Sequence, residues 1–302
     1  MKRVQTGFAL ALASACIVAA TPAGAVPFIF NNGSVNGLMA SASRPASAGK
    51  YEIESADDFV LIDRTLVNTA SFVGLLPVGT SLVSINNVRI EIYRVFPLDS
   101  NVTRTSGPPT FFTTAVPTRV NSPSDLAFDA RDATGATLSF ATTLLSSNFT
   151  VNNSVQPGGI HPFPNQTTGG NGPLTGQEVQ FNVNFTTPFD LPANHYFFVP
   201  QVELAGAGDF EWLSSVRPIA APGTPFTPDL QAWARDQFLD PDWLRVGTDI
   251  VGGASAPTFN MAFSLGGVTA SAVPEPPAWA LLAAGLAYLG KFGRRRREAS
   301  LC

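Results

Sequence analysis

The stretch Glu178-Val179-Gln180-Phe181-Asn182-Val183-Asn184-Phe185 alternates polar and apolar residues over its whole length. Successive side chains of an extended chain point to opposite sides, so this pattern predicts a β-strand with one buried face and one wet face. Val88-Arg89-Ile90-Glu91-Ile92-Tyr93 has the same period, and so does Phe259-Asn260-Met261-Ala262-Phe263-Ser264-Leu265. His195-Tyr196-Phe197-Phe198-Val199 is a nearly continuous apolar run, which predicts a strand covered on both faces. Residues 59–62, 70–73 and 210–213 read as weaker strands. In the last of these, alternation puts Phe210 and Trp212 on one packed face. One short helix is expected, over Leu230-Gln231-Ala232-Trp233-Ala234-Arg235, behind the capping residue Asp229. Many short strands with Gly and Pro between them predict an all-β fold, an antiparallel β-sandwich of jelly-roll-like topology.

Two stretches read as irregular. Residues 31–47 are rich in Asn, Gly and Ser and look like a loose lead-in. Residues 152–177 carry the turn signals Pro157-Gly158-Gly159 and Gly169-Gly170-Asn171-Gly172, and a loop of that length is either a functional excursion or a flexible seam. Neither flank is large enough to close a sandwich comfortably, so residues 26–266 are expected to form one domain. Residues 267–272 are small and are expected to act as a spacer.

Charge and cysteine content bound the partners. Residues 26–272 hold 20 acidic against 11 basic residues, with no basic run. Such a body is a poor nucleic-acid binder. The only cysteines, Cys16 and Cys302, lie near the two ends. A body without disulfides must be held by a packed core, which a length near 250 residues allows.

The ends carry targeting chemistry. Lys2 and Arg3 precede the apolar residues 8–20, and Ala23-Gly24-Ala25 has the A-x-A form of a signal-peptidase site. Residues 1–25 are therefore expected to be a signal peptide, handled by the Sec translocon and signal peptidase and cut after Ala25. At the other end Val273-Pro274-Glu275-Pro276-Pro277 leads into the uncharged residues 278–290, and then Arg294-Arg295-Arg296-Arg297. The prolines force an extended entry. The thirteen apolar residues span roughly 20 Å as a helix, short of the ~30 Å hydrocarbon core. The arginine block belongs on the cytoplasmic side, so the body lies outside it.

This three-part tail, residues 273–298, resembles the PEP-CTERM sorting domain of Gram-negative bacteria. Val273, Pro274, Glu275 and Pro276 match the motif, residues 278–290 the short helix, and Arg294 to Arg297 the basic stop. The resemblance covers about a tenth of the chain, and the few residues after the arginine block extend slightly past the usual end. It implies recognition by an exosortase, with the inner membrane as a transient intermediate. The cell surface or the extracellular space is then the destination.

Motifs for chemistry are sparse in the body. Its histidines are His161 and His195. No H-E-x-x-H or G-x-S-x-G occurs, and the glycines at 169–172 lack the Lys of a P-loop. A carboxylate pair of the glycosidase kind is available by number alone. Two constellations bear on binding. In Glu54-Ser55-Ala56-Asp57-Asp58, the adjacent Asp57 and Asp58 could ligate Ca²⁺, or simply cap a turn. Around Asp240-Pro241-Asp242-Trp243, the rings of Trp233 and Trp243 beside Asp240 and Asp242 could stack and bond a sugar, or could be core residues with bracing acids. The expectation is an exported, non-enzymatic surface or matrix protein, structural or adhesive, associated with exopolysaccharide. The alternative is a carbohydrate- or calcium-binding lectin-like module, and a glycosidase stands behind that.

Overall fold

The computed structural model describes residues 25–101, 120–161, 167–217, 230–239, 242–253 and 258–269. These fall within one unit, Ala25–Ala270. The strands in chain order are β1 (Val26–Asn31), β2 (Val35–Ala42), β3 (Ile53–Leu61), β4 (Thr65–Leu76), β5 (Ile85–Arg94), β6 (Asp129–Asp132) and β7 (Leu138–Val151). They continue with β8 (Asn153–Val155), β9 (Leu174–Leu191), β10 (Asn194–Leu204), β11 (Glu211–Ser215), β12 (Trp233–Asp236), β13 (Leu244–Arg245) and β14 (Phe263–Thr269). The fold is all-β, as the alternation requires.

Two sheets face each other over one core. The six-stranded sheet runs β13-β12-β3-β10-β5-β6, every pair antiparallel. The eight-stranded sheet forks. One edge of β4 pairs with β9, which pairs with β7. The other edge pairs with β14 over Thr65 to Phe72 and with β11 at Gly74 and Leu75. The β14 branch ends in β1, and the β11 branch continues to β2 and then to β8, which runs parallel to β2. This is more than the eight strands in total of a simple jelly roll.

Phenylalanine fills the space between the sheets. Phe72 and its cross-strand partner Phe181 stack at 4.8 Å. Phe198 of β10 stacks on Phe263 of β14 at 4.9 Å, joining one sheet to the other. Trp212 meets both of those rings and donates its indole N–H to the Ala262 carbonyl, so its one polar atom is satisfied in the core. Phe210 and Trp212 share the core, as alternation predicts. At Gly74 no side chain fits, because a Cβ would sit 2.1 Å from Phe210 and 2.8 Å from the Glu211 carbonyl.

Five local expectations are corrected. Residues 233–236 form β12, not the end of a helix, and pair with Ile53 to Ala56 of β3. Pairing on a sheet edge overrides the helix-friendly composition. Residues 35–42, expected to be loose, form β2; its Ala40, Ser41 and Ala42 are fully buried, and small side chains are what this packed position admits. Residues 153–155 form β8 and residues 174–177 already belong to β9, so the expected long loop is shorter at both ends. Residues 267–269 are no spacer, since β14 runs to Thr269 and pairs with both β1 and β4. Gly267 there meets close backbone, for a Cβ on it would lie 2.1 Å from the Leu66 carbonyl oxygen. The expected strand over 259–265 in turn begins only at Phe263, with Met261 forming an isolated bridge to Ser214.

Candidate functional site

Asp57 and Asp58 are both buried and are aimed at opposite faces of β3. Asp57 Oδ2 accepts from Asn32 Nδ2 at 2.8 Å and from the Met261 N–H at 2.7 Å. Asp58 Oδ1 accepts from the Leu230 N–H at 2.9 Å, and its other oxygen lies 2.6 Å from His195 Nε2. The two carboxylates brace the fold and do not converge on one cation. Among the described residues no cluster of three or more metal-ligating acidic, His or Cys side chains occurs.

Trp233 and Trp243 are also buried, at 3% and 2% exposure, so neither offers a ring face to a sugar. They pack on the outer face of the six-stranded sheet with Ala56, Tyr93, Phe197, Val199 and Leu230. Trp243 donates its N–H to the Ser124 carbonyl and meets Tyr93 edge to face. Asp242 is buried beside it, while Asp240 lies outside the described residues. The sugar-stacking arrangement expected from these four residues is therefore not formed by the three that are described. Ala23, the motif Val273 to Pro276, the apolar residues 278–290 and Arg294 to Arg297 also lie outside the described residues, and Ala25 is exposed just before β1. Among the described residues no helix is long and apolar enough to cross a membrane.

The same outer face holds a buried ionic network. Arg235 pairs with Glu54, lies 4.3 Å over the Trp243 ring and donates to the Tyr93 hydroxyl. The Tyr93 hydroxyl donates to Glu54 at 2.6 Å. Burial works to raise the Glu54 carboxyl, but the Arg235 charge and hydrogen bond outweigh it and hold it below the usual range. Glu91 has the opposite fate. Burial and the neighbouring Glu54 charge push it up to about 8, although Arg89 stands 2.5 Å away. Such a group is protonated at neutral pH and hydrogen-bonds to Glu54. Every member has partners within the sheet, so the network is a brace.

An open site lies on the outer face of the other sheet, where β4 forks. β9 contributes Glu178 and Gln180 to it, from the polar phase of the alternation that specifies that strand. Gln180, Asn182 and Asn184 alternate with the core residues Val179, Phe181, Val183 and Phe185. Register aligns them with neighbours of the same kind. Asn182 is opposite Ser71, Ser71 is opposite Ser264, and Ser264 is opposite Asn31. These four residues form one row across four strands, and the Ser71 and Ser264 hydroxyls meet at 2.8 Å. Gln180 donates to Asn182 at 2.7 Å. A groove of about 400 Å³ opens along this row, between the β1–β2 turn at Gly33, Ser34 and Val35 and the side chains of Leu145 and Phe149 on β7. Among the described residues its one ionisable lining group is Glu178, whose carboxyl partial burial raises above its ordinary range. The arrangement offers hydroxyl and amide donors and acceptors, nearly without charge, beside an aromatic edge. It suits a neutral hydroxylated ligand that carries C–H faces.

Comparison with protein-family models, with curated proteins and with solved structures finds no match to this chain.

Reading the sequence for tryptophan beside acid misses this site. The usable signal was the identity of the polar residues in the alternating strand. After Glu178, Gln and Asn fill the polar positions there and mark a face that is wet but nearly uncharged.

Proposed function

We propose that the chain is an exported, non-enzymatic protein that holds polysaccharide at the cell surface or in the extracellular matrix through the neutral face of its eight-stranded sheet. The observation that carries the binding half is the groove at the fork of β4, lined by Asn31, Ser71, Gln180 and Ser264 with Phe149 at its rim. Uncharged amides and hydroxyls on a rigid sheet make many weak hydrogen bonds to a polyol without the desolvation cost of buried charge. A repeating polymer then gains by avidity what a single sugar unit lacks.

Support for the export half comes from the sequence. The signal-like residues 1–25 and the tail Val273-Pro274-Glu275-Pro276 with its apolar run and arginine block place the body on one side of the membrane. In this reading an exosortase processes the tail after insertion in the inner membrane, and the body is released or re-anchored at the surface. Calcium has no assigned part, because Asp57 and Asp58 are engaged with Asn32, Met261, Leu230 and His195.

The test is retention of the full chain on exopolysaccharide isolated from the native host, with dextran as a neutral reference polymer and with calcium present or chelated. Retention in both calcium conditions supports the reading. No retention on either polymer removes it. Release of reducing ends during incubation would replace the binding role with a glycosidase.

A further inference from the structure

A second pocket lies further along the same outer face, at the end of β4. Its volume is about 250 Å³, below the ~300–1,000 Å³ of sites for larger ligands, so it takes one ring and not a chain. Leu75, Pro77 and Leu174 give it apolar walls, and Gln156, Thr175, Asp209 and Glu211 give it polar groups. Ser71, which lines the groove, and Leu75, which lines the pocket, are four residues apart on one strand, about 13 Å.

Glu211 is the unexplained group there. It lies on β11 between the core residues Phe210 and Trp212 and so faces away from the core, opposite Leu75. Its residue exposure is 5%, and its Oε2 has no hydrogen-bond partner among the described residues. A buried carboxyl oxygen without a partner is costly. Burial and the Asp209 charge push this carboxyl well above its usual range, against the pull of Arg44. The charged groups on the elements packed around it are Asp209, Arg44, Lys50 and, on the far side of Leu75, Glu178. Arg44 and Lys50 are both turned to Asp209, and neither lines the pocket.

We propose that this pocket binds a single neutral sugar residue, an end or branch unit of the polysaccharide lying along the sheet, with Glu211 as the hydrogen-bonding group at its floor. The proposal rests on the reading of the neighbouring groove as a polysaccharide surface. Charge selects the ligand class. A cationic ligand finds Asp209 in the lining already paired with Arg44 and Lys50, and an anionic one meets Asp209 and, among the described residues, no cation in the lining. A protonated carboxyl donates and accepts at once, which matches a hydroxyl. Leu75, Pro77 and Leu174 match the C–H face of a ring. Because the donating form is the protonated one, binding is strongest at acid pH and falls as pH rises through the raised Glu211 value.

The experiment is ligand-observed NMR of the full chain with the methyl glycosides of glucose, galactose, mannose and N-acetylglucosamine, each up to about 50 mM, over a pH series from about 5 to about 9. Dextran retention is measured in parallel. At least one glycoside is expected to bind, with affinity falling at high pH. Glu211→Leu is expected to lose at least tenfold. Glu211→Gln, which keeps a neutral donor and acceptor, is expected to keep binding and lose the pH dependence; it serves if the leucine variant does not fold. Absence of binding by all four glycosides, or binding that Glu211→Leu leaves unchanged or that falls with pH in Glu211→Gln as in wild type, overturns the proposal. Glycoside binding without dextran or exopolysaccharide retention would leave the pocket standing and remove the groove. Retention without glycoside binding would do the reverse.

Discussion

Ser71 and Ser264 face each other across β4 and β14 with their hydroxyls 2.8 Å apart, in the middle of a row that runs from Asn31 to Asn182. The row puts four uncharged hydrogen-bonding side chains side by side at strand spacing, ~4.8 Å. A sheet face turned to water is commonly salted with Lys and Glu, which keep it from pairing or sticking. Here the described face of β4, β9 and β14 near the fork has Glu178 as its only charged groove residue.

Gln180→Ala combined with Asn182→Ala is expected to weaken polysaccharide retention at least fivefold and to leave the melting temperature close to wild type. Both side chains are only half-buried, and substitutions at such positions usually change stability by about 0.5 kcal/mol or less. Retention assays with a parallel thermal melt check this. A large loss of stability would show that the row is a structural ladder instead.

Stability is expected to fall as pH rises from about 4.5 to about 8 in the part set by Glu91. Its folded pKa, about 8, lies above the ordinary glutamate value, so the folded state binds the proton more tightly than the unfolded chain. That stabilisation is complete below the unfolded value and is lost as pH climbs through the folded one, an effect on the order of a few kcal/mol. Glu54 works in the opposite sense, because its lowered pKa gives stability that is lost on acidification. Urea unfolding across pH measures the sum, and Glu91→Gln should flatten the alkaline limb. An alkaline limb unchanged in that variant would contradict the assignment.

Arg235→Leu is expected to destabilise by about 3–5 kcal/mol. It leaves the buried Glu54 without its counter-charge and removes the cation between Tyr93 and Trp243. Denaturant midpoints check it, and the loss should shrink when Glu54 is also changed to Gln.

Gly74→Ala is expected to cost about 1–3 kcal/mol or more, since the new Cβ collides with both the Phe210 ring and the Glu211 carbonyl. A midpoint within error of wild type would mean that β11 shifts freely against β4.

The two-residue period was enough to recover β5 and β9, where large apolar residues alternate with unmistakably polar ones. It failed at β12, because Ala234 and Ala232 blur the contrast between phases and the strand exists through its pairing with β3. The small residues of β2 hid it in the same way. The expectation of sugar stacking at Trp233 and Trp243 failed for another reason. Trp233 and Trp243 beside acids look alike whether exposed or buried, and only the strand order shows that the 122–127 segment closes over them, with Ser124 accepting from Trp243 and the Asp125 carbonyl from Arg235. Gln180 and Asn182 were in plain sight as the wet half of an alternating strand. Their meeting with Ser71, Ser264 and Asn31 depends on register between strands more than 75 residues apart in sequence, which no local pattern records.

Sorting is tested independently by mass spectrometry of the mature protein from its native host. C-terminal peptides ending near residues 273–277 without the arginine block are expected in the surface and medium fractions. An intact tail confined to the membrane fraction would make the segment an ordinary anchor.

The most direct test of the central claim is co-fractionation of the full chain with the native host's exopolysaccharide, wild type against the Gln180→Ala, Asn182→Ala double variant. The account predicts that wild type travels with the polymer and that the folded variant does not. Equal behaviour of the two, whether both bind or neither does, would contradict it.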